Sequence, residues 1–386
     1  MFRVSSPARL SAGLALCALA LVGPAPAGAD PLLEDAVAFN GQIFHLQSGA
    51  PGIVFGAIRG GESAVAGFGE TRAGNGIVPD GDTVLRVGSI TKVFTGEMLA
   101  HAVARGETAF TAPVAPLLPG RLADAAGRHA PIRLIDLATH AGGLPREVPH
   151  PEGTPADPFG PITLDAFADW LEESDLLFPP GRAMAYSNFG FDLLSTALST
   201  AGGAPYPDLL RERIAGPRGM ADTRFDLSDD MKARAMSGHG FDGEPLPDAP
   251  TGDVIVGSGG LRTTANDLLR WMAWHLADDT EDAEDAEVRF LDHGVYVQRE
   301  GLNAVLNMDE SGRMDAMGLG WVAMNATGER PFVLQKAGAL QGQMSYLAFA
   351  PERGTAVFVS MNQYDFAAAG MMTEFANAFL ASLSGD

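Results

Sequence analysis

The sequence predicts an α+β fold: a mostly antiparallel sheet built from both ends of the chain, flanked by helices, with an all-helical lobe inserted between the two halves. Two observations predict it. Short apolar runs of strand-like composition fall at residues 53–68 and again at 318–361, whereas residues 91–276 carry apolar positions at helical spacing, broken by Pro- and Gly-rich loops. Of 386 residues, 46% are hydrophobic and 19% charged, an ordinary globular balance, and no internal repeat is present.

In chain order, residues 31–46 read as a helix from Leu32, Leu33, Ala36, Phe39, Ile43 and Phe44. Residues 53–58 and 63–68 read as strands joined at Arg59-Gly60-Gly61-Glu62, and residues 91–104 as a buried helix ended by Arg105-Gly106. Helical segments follow at 163–173, 190–200, 206–214 and 264–276, the last with Thr264 as N-cap. The acidic run 278–287 is expected to be a solvated, mobile loop. Strands are expected at 318–324, 332–335, 344–350 and 354–361, and a closing helix at 366–383. This divides residues 30–386 into an α/β lobe (about 30–88 and 251–386) and a helical lobe (about 89–250), with a ligand cleft expected between them.

Residues 1–29 read as a cleavable signal peptide. Arg3 and Arg9 precede an apolar run from Leu10 to Val22, then Pro24 and Pro26, then Ala27-Gly28-Ala29 before Asp30. The run is shorter than the roughly 18 residues of a spanning helix, and no other segment has the uninterrupted apolar length to span, so an exported, periplasmic protein without a stable membrane span is expected. The single cysteine, Cys17, lies inside the leader behind the bulky Leu16, which argues against lipidation; the mature chain then has no thiol for disulfides, nucleophilic catalysis or metal binding. The formal charge of −22 disfavours nucleic acid and anionic lipid, since phosphate recognition needs clustered Lys and Arg.

Lysine is scarce: Lys92, Lys232 and Lys336 stand among 26 basic residues, the rest arginine. An ammonium can lose its proton when desolvated and act as a base, whereas a guanidinium cannot, so each lysine asks for a reason. Lys232 sits in the polar run Ser228-Asp229-Asp230-Met231 and reads as a surface residue. Lys92 follows Ser89 by three residues in Ser89-Ile90-Thr91-Lys92, at the start of an apolar helix, so hydroxyl and amine share one face. The helix N-terminus favours negative charge developing on the serine oxygen, and burial beside a second cation would lower the lysine pKa toward neutrality.

Two further clusters follow in order. Tyr186-Ser187-Asn188 offers a phenol for proton transfer and a carboxamide for a substrate amide, and Lys336-Ala337-Gly338, followed by Ala339, lies on a late strand where Gly338 would admit substrate close to the backbone. Taken singly, these also read as a core tyrosine, a turn asparagine and an ordinary strand-end lysine. His140 and His239 read as packed structural residues. No H-E-x-x-H pattern or close His/carboxylate cluster suggests a metal, no G-x-S-x-G suggests an α/β-hydrolase elbow, and no glycine loop suggests a nucleotide; no cofactor is expected.

The three ordered motifs resemble the serine β-lactamase and penicillin-binding protein superfamily, on the side of class C β-lactamases and the D-alanyl-D-alanine carboxypeptidase/endopeptidases related to them. Val84-Leu85-Arg86-Val87-Gly88 before the serine, residues 137–145, Gly259-Gly260-Leu261 with residues 264–268, and residues 336–350 extend the likeness from about Asp30 to the C-terminus. The resemblance implies a β-lactamase/transpeptidase-like fold. It also implies Ser89 as nucleophile, Lys92 as its proton acceptor, Tyr186 as proton-transfer phenol, Asn188 as substrate-amide contact and Lys336 opposite a substrate carboxylate. The N–H groups of Ser89 and Ala339 would form the oxyanion hole. The partners implied are peptidoglycan peptides, or β-lactam or ester small molecules. Ala337 stands where that family usually has threonine or serine. This departure counts against the peptidase and β-lactamase readings and leaves room for an esterase, while Lys336 points back to carboxylate-bearing substrates. An esterase or class C-like β-lactamase on the same scaffold is the first alternative. A binding homologue without catalysis is the remaining alternative, against which intact Ser89, Lys92 and Tyr186 speak.

Overall fold

The computed structural model describes Met1 and residues 30–277 and 282–385. The predicted leader, Met1 apart, lies outside them. Eight strands form one antiparallel sheet: β1 (Gly52–Arg59), β2 (Glu62–Gly69), β3 (Val297–Gln298), β4 (Ala316–Met317), β5 (Val322–Met324), β6 (Val333–Leu340), β7 (Gln343–Ala350) and β8 (Thr355–Met361), in the order β2-β1-β8-β7-β6-β5-β4-β3. The N-terminal hairpin joins the C-terminal strands through β1 on β8, with Ile53 opposite Met361 and Arg59 opposite Thr355. The main helices are α1 (Pro31–Ser48), α2 (Thr91–Ala104), α3 (Leu164–Glu173), α4 (Asn188–Gly202), α5 (Ala265–Leu276), α6 (Ala283–Asp292) and α7 (Phe366–Ser384).

Both faces of the sheet are covered, which is why its central strands lack the polar alternation of a half-exposed antiparallel sheet. Ile53, Phe55, Ala57, Tyr346, Ala348, Val357 and Val359 point into one core with α1 and α7. Their neighbours Val54, Ile58, Leu347, Phe349, Ala356 and Phe358 point into a second, shared with α2, α4 and α5. The alternation of side chains along a strand thus feeds two separate apolar cores.

Helix α2 runs through the second core and is buried on every side from Thr91 to Ala102, as its nearly continuous apolar sequence requires. Its close neighbour is the tight turn between β4 and β5, closed by the Gly318 N–H on the Trp321 carbonyl (2.8 Å). A Cβ on Gly96 would strike the Leu319 carbonyl oxygen, and one on Gly320, whose φ is +79°, would lie 2.7 Å from the carbonyl oxygen of Lys92. Missing side chains therefore let this turn press directly on the first two turns of α2.

Several sequence expectations change. Residues 318–324 are not one strand, because that turn separates Ala316–Met317 from Val322–Met324. The strand expected at 332–335 extends as Val333–Leu340, so Lys336 to Ala339 lie within it. The helix expected at 206–214 breaks into Tyr206–Leu210 and a wider π-helical turn, Arg211–Ala215. In the acidic run expected to be a mobile loop, residues 283–287 are helical: Asp282 caps α6 through the N–H groups of Glu284 (2.8 Å) and Asp285 (3.2 Å), the acids fall in the first turn where the helix dipole favours them, and Val288 is buried. Residues 278–281 lie outside the described residues. Finally, α7 is long and apolar enough by composition to cross a bilayer, which the sequence reading denied to any second segment; here it lies along β7 and β8 and buries Met372, Ala376, Phe379 and Leu380.

Replacing Gly320 by alanine puts a side chain in a left-handed conformation against the α2 backbone, and is expected to destabilise the fold by at least about 2 kcal/mol. Gly301→Ala, at a position with open space around it, is the control and should leave the thermal midpoint unchanged. Equal midpoints for the two variants would mean that the turn yields freely.

Candidate active site

Ser89 sits in a single 3-10 turn, Gly88–Ile90, that leads into α2. The turn is seated against β6. Gly88 has φ +50°, and a Cβ on it would meet the backbone of Ala339 at 2.6–2.7 Å; one on Gly338 would strike the Val87 carbonyl and come within 2.9 Å of the nitrogens of Ser89 and Ile90. Only two glycines facing each other allow this approach, which brings the backbone of Ser89 beside that of Ala339. Thr91 fixes the helix start, its hydroxyl donating to the Gly88 carbonyl (2.7 Å) and accepting from the Leu261 N–H (3.2 Å).

Lys92 is completely buried. Its Nζ lies 2.6 Å from Asn188 Oδ1, 2.6 Å from the Ser258 carbonyl oxygen and 3.1 Å from Ser89 Oγ. The first two partners can only accept, so they take two N–H bonds at any protonation state. The third position faces the serine: an ammonium donates there, and a neutral amine turns its lone pair to the serine O–H. Burial, reinforced by the charge of Lys336, holds the Lys92 pKa well below its usual value, while Asp192 and Glu147 oppose the shift.

Tyr186 is buried beside Ser89, and the two line the same cavity. Its ring is ringed by cations, with Lys92 Nζ 5.0 Å, Lys336 Nζ 5.2 Å and the Arg146 guanidinium 4.8 Å from the centroid. Burial nevertheless raises the phenol pKa. His140 stacks on the ring at 4.5 Å and accepts the Ser187 N–H at Nδ1 (3.0 Å), and burial keeps it neutral by holding its pKa well below the usual value. Its backbone is left-handed, with φ +57°. It packs against the site as a prop for Tyr186 rather than lying remote in the core.

Lys336, on β6, donates to the carbonyl of Ala337 (2.8 Å), and burial lowers its pKa to about 7, with Arg146 adding to the fall and Glu310 opposing it. Ser89, Tyr186, Lys336, Gly338 and Ala339 line one cavity of about 510 Å³, whose far wall is apolar, with Met308, Met317, Met344 and Met372. Arg146 and Glu310 pair across its mouth at 3.1 Å.

Ser89, Lys92, Tyr186, Asn188, Lys336, Gly338 and Ala339 are therefore gathered here, but one contact differs from expectation. Asn188, expected to contact a substrate amide, donates Nδ2 to Glu147 Oε1, so the carboxamide spans Lys92 and Glu147. Arg146, Glu147, Asp192 and Ser258 were not found by sequence reasoning. The first two directly follow the segment 137–145, and Asp192 lies one helical turn beyond Asn188, so only their place in the fold reveals them. Lys232 is exposed and pairs with Asp229 at 3.0 Å, and His239 is buried between the Asn362 carbonyl (2.7 Å) and the Ala73 N–H (3.3 Å). Folding also gathers a His/carboxylate group that the sequence did not show: His275 Nδ1 lies 2.9 Å from His293 Nε2 and 3.8 Å from Asp292, which Trp321 Nε1 also holds (2.8 Å).

A hydroxyl beside a buried amine and a phenol, in an open cavity, is the arrangement of a serine hydrolase. The chain belongs to the Beta-lactamase family, whose profile matches residues 29–380. It is similar to the D-alanyl-D-alanine-carboxypeptidase/endopeptidase AmpH of Escherichia coli K12, 34% identical over 88% of this chain and 86% of that one. A solved β-lactamase/D-alanine carboxypeptidase from Yersinia pestis superposes with a TM-score of 0.81 at 32% identity, covering 92% of this chain and 99% of the other. A class C β-lactamase from Rhodobacter sphaeroides, at 24% identity and TM-score 0.72 over 88% of this chain and 98% of its own, shares the β-lactamase/transpeptidase-like fold.

The low Lys336 pKa has a measurable sign. Below about pH 7 the ammonium is present in the free protein, and above it the charge is lost, so affinity for a small carboxylate should fall toward tenfold per pH unit above 7 until the higher pKa of the complex is passed. Lys336→Ala should bind weakly and without this dependence. A wild-type affinity flat from pH 6 to 9 would assign carboxylate binding to Arg146.

Proposed function

We propose that the protein is a periplasmic D-alanyl-D-alanine carboxypeptidase/endopeptidase that cleaves peptidoglycan peptides through an acyl-enzyme on Ser89. The observation that carries this is Lys92 Nζ at 3.1 Å from Ser89 Oγ with its other two bonds committed to pure acceptors. The similarity to the Escherichia coli carboxypeptidase/endopeptidase supports the substrate class.

In this scheme Ser89 Oγ attacks the carbonyl carbon of the penultimate D-alanine as its proton passes to Lys92 Nζ. The N–H groups of Ser89 and Ala339 receive the oxyanion, each donor worth about 3 kcal/mol in the transition state. Collapse breaks the C–N bond, and the leaving amine takes a proton by way of Tyr186. Water then attacks the ester, its proton going to the same basic groups, and the free carboxylate and Ser89 hydroxyl are restored. A terminal D-alanine as leaving group gives carboxypeptidase action, and a cross-linking amine gives endopeptidase action. Lys336 faces the substrate carboxylate.

Ala337 favours a second reading. Without the usual hydroxyl, Lys336 bonds its neighbour's carbonyl, and small neutral esters lose less from that absence than carboxylate-bearing peptides. Either substrate class uses the same acyl-enzyme.

Incubation with a penicillin, a D-alanyl-D-alanine muropeptide and a p-nitrophenyl ester, followed by mass spectrometry, should find the acyl mass on the peptide containing Ser89. Ser89→Ala should abolish it, and Lys92→Arg should slow acylation by at least about a hundredfold, because a guanidinium cannot accept the proton. An adduct on Ser187 or Ser258 would overturn the assignment. Turnover of the ester alone, with Ala337→Thr improving no peptide, would make the protein an esterase. The exported chain isolated from periplasm should begin at Asp30, and recovery only from the cytoplasm would refute the location.

A further inference from the structure

Among the described residues, one fully buried carboxyl beside Lys92 has no part in this scheme. Asp192 lies on α4 one turn after Asn188, so both face the lysine from the same side of that helix. It is 1% exposed. Its Oδ2 accepts from the Ser258 hydroxyl at 3.1 Å, and the carbonyl of the same Ser258 accepts from Lys92 Nζ at 2.6 Å. Asp192 Oδ1 has no hydrogen-bond partner among the described residues. An unpartnered oxygen at this depth is costly unless a nearby positive charge compensates it.

The charges facing Lys92 come from several elements: Lys336 on β6, Arg146 and Glu147 in the loop before α3, and Asp192 on α4, with the neutral His140 and the Tyr186 phenol completing the shell. The two cations disfavour an ammonium at Lys92, and the two carboxylates favour it. Glu147 is exposed and screened by solvent, whereas Asp192 acts through dry protein, where a charge reaches furthest.

We infer that Asp192 is a positioning residue for the acyl transfer, its carboxylate stabilising the Lys92 ammonium formed when the proton leaves Ser89. The inference rests on the acyl-enzyme reading above. Lys92 and Asp192 then titrate as a pair, in which each charged group favours the other. Burial holds the Asp192 carboxyl well above its usual range and Lys92 draws it back. During acylation the serine proton moves onto Nζ while the O–C bond forms, and Asp192 neither gains nor loses a proton: it offsets the new charge.

The test is the pH profile of acylation by a β-lactam or p-nitrophenyl ester, read as the mass adduct on Ser89, for wild type, Asp192→Asn and Ser258→Ala. Removing the carboxylate lowers the Lys92 pKa, so the acid limb of the profile should move down by about one pH unit in Asp192→Asn. The plateau should fall about tenfold, as the amine becomes a weaker base. Ser258→Ala strips the remaining bond from Asp192, favours its neutral form and should shift the limb the same way, which keeps the test available if Asp192→Asn folds poorly. Acid limbs unchanged in both variants, with the rate lowered equally at every pH, would overturn the inference and leave Asp192 a packing residue. Absence of any Ser89 adduct in the wild type would instead overturn the acyl-enzyme reading, and this inference with it.

Discussion

An amine taken wholly out of water at the start of a central helix organises this protein. Removing an ammonium from solvent costs several kcal/mol unless it is hydrogen-bonded or gives up its proton. Lys92 is offered both routes, two fixed acceptors that hold the nitrogen and a third position, facing Ser89, where a proton can be taken or returned. Helix α2 can bring the lysine so deep only because its surroundings leave room for its backbone: Gly96 and Gly320 let the β4–β5 turn lie directly on it. The apolar sequence of α2, the small residues around it and the chemistry of its first turn are one constraint seen at three scales.

The opposite wall is set by backbone as well. β6 reaches the Ser89 turn through Gly338 and Gly88, so the distance from nucleophile to strand is fixed by main-chain contact, not by a side chain that could change rotamer. Around this rigid frame the charges are crowded. Lys92, Lys336 and Arg146 surround the Tyr186 ring, and burial already lowers the first two. A negatively charged ligand entering the cavity meets cations that gain from its arrival. The apolar far wall of methionines gives the rest of a ligand an adaptable surface.

Much of this was legible in the sequence because it is local. The Ser89–Lys92 spacing fixes a helical turn, the helix 91–104 keeps its expected ends, and Thr264 caps α5 as its type and place suggest. What stayed hidden depends on contacts between distant segments. Asp192 and Ser258 meet only when α4 and the loop before α5 converge, and nothing in either segment marks them. The strand expected at 318–324 failed because Gly318 and Gly320 serve a turn whose reason, the α2 backbone, lies far away in sequence. In the acidic run near residue 285, composition suggested a loop, while the cap at Asp282 and the single buried Val288 were enough for a helix.

The pairing of β1 with β8 joins segments from near the two ends of the chain, and it sets an order of assembly. During synthesis the serine, its amine and the phenol emerge well before β6, against which the Ser89 turn is seated, and before β7 and β8, which tie β6 to the N-terminal hairpin. Such non-local pairing forms late and slowly. Until residues 333–340 are made, a nascent chain holds these groups without the strand against which the Ser89 turn is seated. A product cut short before residue 333 lacks the strand that carries Lys336 to Ala339 and against which the Ser89 turn is seated.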